Sequence, residues 1–159
     1  MRFPAKCPII TESYMEVSKD KSLSRESVTE TIAIAQDETT PFDELDKEAS
    51  LALSCASEKK ALNLVGLDLR DITSFAEFFL IASGTNQRQV QAIADEITQK
   101  LKKETKMKAI RVEGYQSGNW ILLDYGDFIF HIFDEKSREF YDLERLWRDA
   151  KRVEIPDEI

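Results

Sequence analysis

Hydrophobic positions along the chain change spacing several times, and each change marks a predicted element. From Phe42, the apolar residues Leu45, Ala49, Ala52 and Ala56 recur at intervals of three and four, which places them in one stripe on a helix. Thr40 is placed to cap this helix and Pro41 to open it, with Asp43 and Glu44 in a first turn whose dipole favours acids. The stripe ends near Lys59-Lys60. Val65, Leu67 and Leu69 then alternate with Gly66 and Asp68, predicting a strand, and Phe78 to Ala82 is a short apolar run suited to a second, buried one. Asn86, with Gln89 three residues on, is a capping pattern for the longest helix, whose stripe is Val90, Ile93, Ala94, Ile97 and Leu101. Ala109 to Val112 predicts a third strand. A last helix, from about Ser137 to Ala150, is predicted to present Phe140, Leu143 and Trp147 on one side, with Tyr141 and Leu146 nearby.

The stretch from Gly114 to Phe133 organises the rest. Two apolar runs flank Tyr125-Gly126, a hairpin signal. With those two residues as the loop, Asp124 faces Asp127, Leu122 faces Ile129 and Trp120 faces His131. That register puts Ile121, Leu123, Phe128, Phe130 and Ile132 on an apolar face suited to a core. Trp120, Leu122, Asp124, Asp127, Ile129 and His131 fall on the other side, and a one-residue bulge would exchange the faces of one strand. The predicted order is helix, strand, strand, helix, three strands, helix. A strand, crossover helix and strand favour a right-handed parallel connection and the hairpins add antiparallel partners, so the class is α/β, a single mixed β-sheet with packed helices.

Composition divides the chain. At 159 residues, 42% hydrophobic and 33% charged, it supports one domain with a proper core. Residues 1–46 carry ten acids against five bases, are rich in Ser and Thr and hold no sustained periodicity, although Ser27 to Ala35 could order locally. Residues 1–39 are therefore expected to be a flexible extension, 40–153 the folded domain and 154–159 a tail. The formal charge of −8 disfavours a phosphate-dominated partner and suits a basic protein. The lysines at the end of the long helix, Lys100, Lys102, Lys103 and Lys106, read as a solvated, dipole-matched terminus. Cys7 and Cys55 form neither a disulfide framework nor a metal cluster. With no long apolar span and no Arg-rich leader, a cytoplasmic protein without membrane partners is expected.

Candidate chemistry is sparse. Asp124 and Asp127 could both reach one Mg²⁺, but carboxylates at a hairpin mouth commonly cap turn donors, and Asp68 and Asp71 form a similar pair. His131 is the only histidine, which excludes a multi-histidine metal site, and no serine or cysteine is placed beside it as a nucleophile. Ser83-Gly84-Thr85 before a helix could cradle an anion, yet it lacks a P-loop lysine and a full G-x-G-x-x-G. No catalytic residue, metal or cofactor is expected.

The run from about Val65 to Trp147 resembles the ribosomal silencing factor family, also called Iojap-like. The resemblance rests on LDLRD, SFAEFFLIASGTNQRQVQAIAD, the hairpin motif W-x-L-x-D-Y-G-D-x-x-x-H-x-F, and R-x-x-Y-x-L-E-x-L-W. It implies a nucleotidyltransferase-like fold and binding to the large ribosomal subunit through its L-fourteen protein. It further implies a block on subunit joining and repression of translation when nutrients run short. Trp120, Asp124, Tyr125, Gly126, Asp127 and His131 match the hairpin motif, while Arg138, Tyr141, Leu143, Glu144, Leu146 and Trp147 match the final one. Partner contacts are thus expected from Trp120, Leu122, Asp124, Tyr125, Asp127, His131, Arg138 and Tyr141, with Trp120 as an anchor unless the final helix covers it. No direct DNA contact is expected, and the resemblance leaves room for a homodimer. The runner-up, a nucleotidyltransferase-like enzyme with metal-bound carboxylates, would need a D-x-D pair after the Ser83-Gly84-Thr85 turn, and none follows.

The extension's composition cannot bury enough apolar surface to offset about 1–2 kcal/mol of chain entropy per residue. Deleting residues 1–38 is expected to move the thermal midpoint by less than about 5 °C in a calorimetric scan; a larger drop would show that the segment docks.

Overall fold

The structure, a computed structural model, describes residues 38–159. The stretch from Ser27 to Ala35 lies outside them. In chain order the elements are β1 (Thr39–Thr40), a 3-10 turn (Phe42–Glu44), α1 (Lys47–Glu58), β2 (Leu62–Asp68), β3 (Phe78–Gly84), α2 (Gln87–Glu104), β4 (Arg111–Glu113), β5 (Trp120–Asp124), β6 (Phe128–Asp134), α3 (Glu135–Tyr141), α4 (Leu143–Leu146) and β7 (Lys151–Val153). The strands make one mixed sheet in the order β1-β7-β2-β3-β6-β5-β4.

At its centre β3 runs parallel to β6, from Phe78 opposite Phe128 to Gly84 opposite Asp134. Every residue of β3 is buried, because the sheet is covered on both sides and a strand there has no solvent face to make polar. On one side α1 and α2 pack over Phe78, Leu80, Ala82, Ile121, Leu123, Phe128, Phe130 and Ile132. On the other, the β2–β3 connection, α3, α4 and Trp147 cover Phe79, Ile81, Trp120, Leu122, Ile129 and Phe133.

The hairpin keeps the predicted faces but not the predicted pairs. Asp124 lies opposite Ile129, Leu122 opposite His131 and Trp120 opposite Phe133. The loop is displaced by one residue, to Gly126-Asp127: Tyr125 N donates to the Phe128 carbonyl at 3.0 Å, and the Asp124 carboxylate accepts from Gly126 N at 2.9 Å. Gly126 takes φ +89°, open to glycine without strain. The Asp127 carbonyl is meanwhile occupied by Glu77 N at 2.7 Å. The register therefore shifts by two, and a shift of two restores each side chain to its own face.

The long helix follows its prediction. The Asn86 side chain accepts from Gln89 N at 2.9 Å, and Val90, Ile93, Ala94, Ile97 and Leu101 are all buried. Gln89 reaches back to Thr85 N at 2.7 Å, one residue earlier than a capping box requires.

The two ends of the domain differ from expectation. Thr40 does not cap a helix: it pairs with Val153, and its hydroxyl donates to Asp68 at 2.8 Å. Leu45 is extended, and the first helix opens only at Lys47. The final helix breaks at Asp142, which adopts φ 44°, so Phe140 swings out to 79% exposure while Leu143 and Trp147 stay buried. The chain then enters β7 between β1 and β2. That insertion needs Gly66, since a Cβ there would stand 2.8 Å from Cβ of Val153.

Phe130→Ala is expected to cost about 3–5 kcal/mol in a urea titration, as loss of a fully buried ring does. Trp120→Ala, now placed in the opposite core, is expected to fall in the same range. A Trp120→Ala protein that melts like the parent would contradict this packing.

Candidate functional site

The eight residues expected at a partner surface separate into three groups. Trp120, Leu122, Tyr125 and His131 are buried, Trp120 with only 1% of its surface accessible. Trp120 is thus corrected from an interface anchor to a core residue: Tyr141 lies tilted over it at 4.7 Å and Phe133 flanks it at 4.7 Å. Asp124, Asp127 and Tyr141 keep solvent access, at opposite ends of the hairpin. Arg138 is an internal clamp. Its guanidinium donates to Glu144 at 2.7 Å, to the Ser83 hydroxyl at 2.9 Å and to the Asn63 carbonyl at 2.9 Å, tying α3 to α4, β3 and β2.

His131 and Trp120 form a polar pair inside the second core. Trp120 Nε1 donates to His131 Nδ1 at 3.1 Å across a diagonal of the hairpin. Indole is only a donor, so Nδ1 is the bare acceptor nitrogen of a neutral ring. Burial, reinforced by the nearby Arg138 charge, pushes the imidazole down to about 3. A sealed ring held in this way cannot serve as a general base for a solvent-borne substrate.

The carboxylate pairs are likewise used by the fold. Asp124 caps its own turn, while Asp127 stands exposed. Asp68 accepts from Arg70 at 2.6 and 3.0 Å and from Thr40; these bonds overcome the effect of burial and hold its carboxyl below the usual range. Asp71 meets Lys151 at 3.4 Å. Ser83, in the turn considered for anions, is buried and occupied by Arg138. Among the described residues no three His, Cys, Asp or Glu side chains gather as metal ligands, and no helix is long and apolar enough to cross a membrane.

Periodicity missed the most exposed aromatic among the described residues. Phe140 borders a depression of about 380 Å³ lined also by Asn119, Asp134, Lys136, Ser137 and Tyr141. The signal was local: Phe140 and Tyr141 are adjacent, so a helix that buries one turns the other outward.

This three-layer sheet, with its covered hairpin face and clamped final helices, belongs to a known class. A family profile described as ribosomal silencing factor during starvation matches residues 42–159. Ribosomal silencing factor RsfS of Halalkalibacterium halodurans is 42% identical over 105 residues, covering 66% of this chain and 89% of that protein. The factor of the same name from Bacillus subtilis is 35% identical over 105 residues, covering 66% and 88%. A crystal structure of a Chromobacterium violaceum protein superposes with a TM-score of 0.62 at 31% identity, covering 70% of this chain and 89% of that one. The chain belongs to the ribosomal silencing factor family.

The His131 environment gives the domain a pH-dependent stability. The unfolded imidazole titrates near 6.5 and the folded one at about 3, so the unfolded state gains protons first as pH falls. Stability is full above about pH 6.5 and declines towards pH 3, by about 1.4 kcal/mol per unit. Urea midpoints between about pH 7.5 and 5.5 lie above the carboxylate range and isolate this one histidine. The parent is expected to lose about 1.4 kcal/mol across that window, and His131→Gln, though less stable, to stay flat. A parent without the decline would refute the assignment.

Proposed function

We propose that the chain acts as a binding factor, not an enzyme, that silences free large ribosomal subunits. It binds through the subunit's L-fourteen protein, blocks joining of the small subunit and represses translation when nutrients run short. The observation that carries this reading is the family match, which runs from Phe42 to the last residue. The use of the candidate carboxylates and of His131 as structural groups is consistent with a binding role.

The contact surface we favour is the outer side of α3. Phe140 is 79% exposed, and Tyr141 and the adjoining depression extend the patch beside it. Glu135 and Glu139 stand exposed on the same short helix with Lys136 between them, so the patch offers both signs of charge to a ribosomal protein. A solvent-facing aromatic with a concave neighbour is the usual makeup of an interface anchor. Trp120, Leu122 and His131 would support this surface from beneath, while Tyr125, in the opposite core, and Asp124 and Asp127 lie at the hairpin's far end.

Sedimentation of a lysate with added protein is expected to place it with free large subunits and not with joined ribosomes. Phe140→Ala is expected to keep the parent's melting midpoint and to bind the purified ribosomal protein about thirtyfold more weakly, the equivalent of about 2 kcal/mol. Unchanged affinity would move the contact away from α3, and absence from the large-subunit fraction would sink the silencing role.

A further inference from the structure

The acidic chain carries one basic end. Residues 100–111 hold six bases against one acid, and the last turn of α2 with its connection to β4 brings them together. Lys100 is engaged, at 2.5 Å from Glu58 and 3.6 Å from Glu96, and Arg111 stands 3.8 Å from Glu113. Lys102, Lys103, Lys106 and Lys108 are exposed, and none forms an ion pair among the described residues.

The helix terminus explains only part of this charge. Lys102 and Lys103 lie in the last turn of α2, where free carbonyls favour cations, and Lys106 folds back to the Lys103 carbonyl at 3.3 Å. Lys108 lies beyond the reach of that field, which fades within a turn. The lysines also lead into β4, the strand at the end of the sheet, where Ile110 is 70% and Val112 46% exposed. Exposed aliphatics flanked by unpaired cations mark a surface that contacts something both anionic and partly apolar. Lysines beside a sheet edge also guard it against pairing with other strands, and that role would require no ligand.

We infer that this end of the molecule contacts RNA: Lys102, Lys103, Lys106 and Lys108 lie against the phosphate backbone, with Ile110 and Val112 against the sugars at its margin. The inference rests on the silencing reading for its source of RNA, the large subunit itself. Segregated charge supports it: residues 100–111 hold five more bases than acids in a chain of net charge −8, so phosphate is drawn to this end before the rest of the molecule. The basic end and the aromatic α3 surface would then engage two chemically different parts of one subunit, RNA and a ribosomal protein.

The test uses the full chain and a variant with Lys102→Gln, Lys103→Gln, Lys106→Gln and Lys108→Gln. Binding is measured to purified large subunits and to protein-free RNA extracted from them, from about 50 to 200 mM KCl. For each phosphate contacted, the slope of log affinity against log salt steepens by about 0.7 to 0.9. The variant is expected to melt like the parent, to bind both targets at least tenfold more weakly at the lower salt, and to show a slope shallower by about 2 to 3. Parent-like affinity and slope would overturn the inference. So would self-association at unchanged affinity, the sign of an edge guard, or weaker binding to the subunit with unchanged binding to RNA, the sign of an acidic protein partner. A parent that binds the RNA through these lysines yet fails to sediment with large subunits would sink the silencing role and leave the RNA surface standing.

Discussion

The parallel pairing of β3 with β6 is the constraint on which the rest of the domain depends. It joins the two halves of the chain across α2, β4 and β5, and it does so with strands buried on both faces. A pairing of that kind closes a long loop before it gains any contact, so it holds only where apolar burial on both sides is large. The two helical layers supply that burial. Each layer needs the central pair as its platform, and the pair needs both layers to exclude water.

The sealing of the second face changes what the shared hairpin motif means. Trp120 and His131 fall in the alternation beside Leu122 and Ile129, a mixture that would suit an interface if solvent reached it. In the structure it is a core whose one polar pair is internally satisfied at Nδ1. Arg138 binds the covering helices down, reaching two strands and Glu144 at once. A motif of tryptophan, aspartate, histidine, arginine and tyrosine is therefore largely a description of how α3 and α4 are held, and Phe140 is carried outward as a consequence.

Net charge likewise conceals an arrangement. The value of −8 averages an acidic body with a lysine-rich end. Whether a charge meets a ligand depends on which charges remain unpaired at the surface. Of the bases near the end of α2, Lys100 and Arg111 are committed to acids and four lysines are not.

Much of the architecture was legible because it depends on local periodicity. The stripe of α2, its Asn86 cap, the apolar run of β3 and the sorting of the hairpin faces are properties of neighbouring residues, and the sheet class follows from their order. The hairpin faces survived an error in the turn because side chains repeat every two residues. The elements that were missed have no local signature: β1 and β7 span two and three residues, and their pairing depends on partners over a hundred positions apart. Thr40 could equally have capped a helix, and only the Asp68 carboxylate and the Glu154 N–H, which donates to the Thr40 carbonyl at 2.9 Å, drew it into the sheet. The candidate site divides the same way. The residue types were readable from the chain, but their exposure was decided when α3 laid Tyr141 over Trp120 and ended at Asp142, because burial belongs to whatever packs above a side chain and not to the side chain itself.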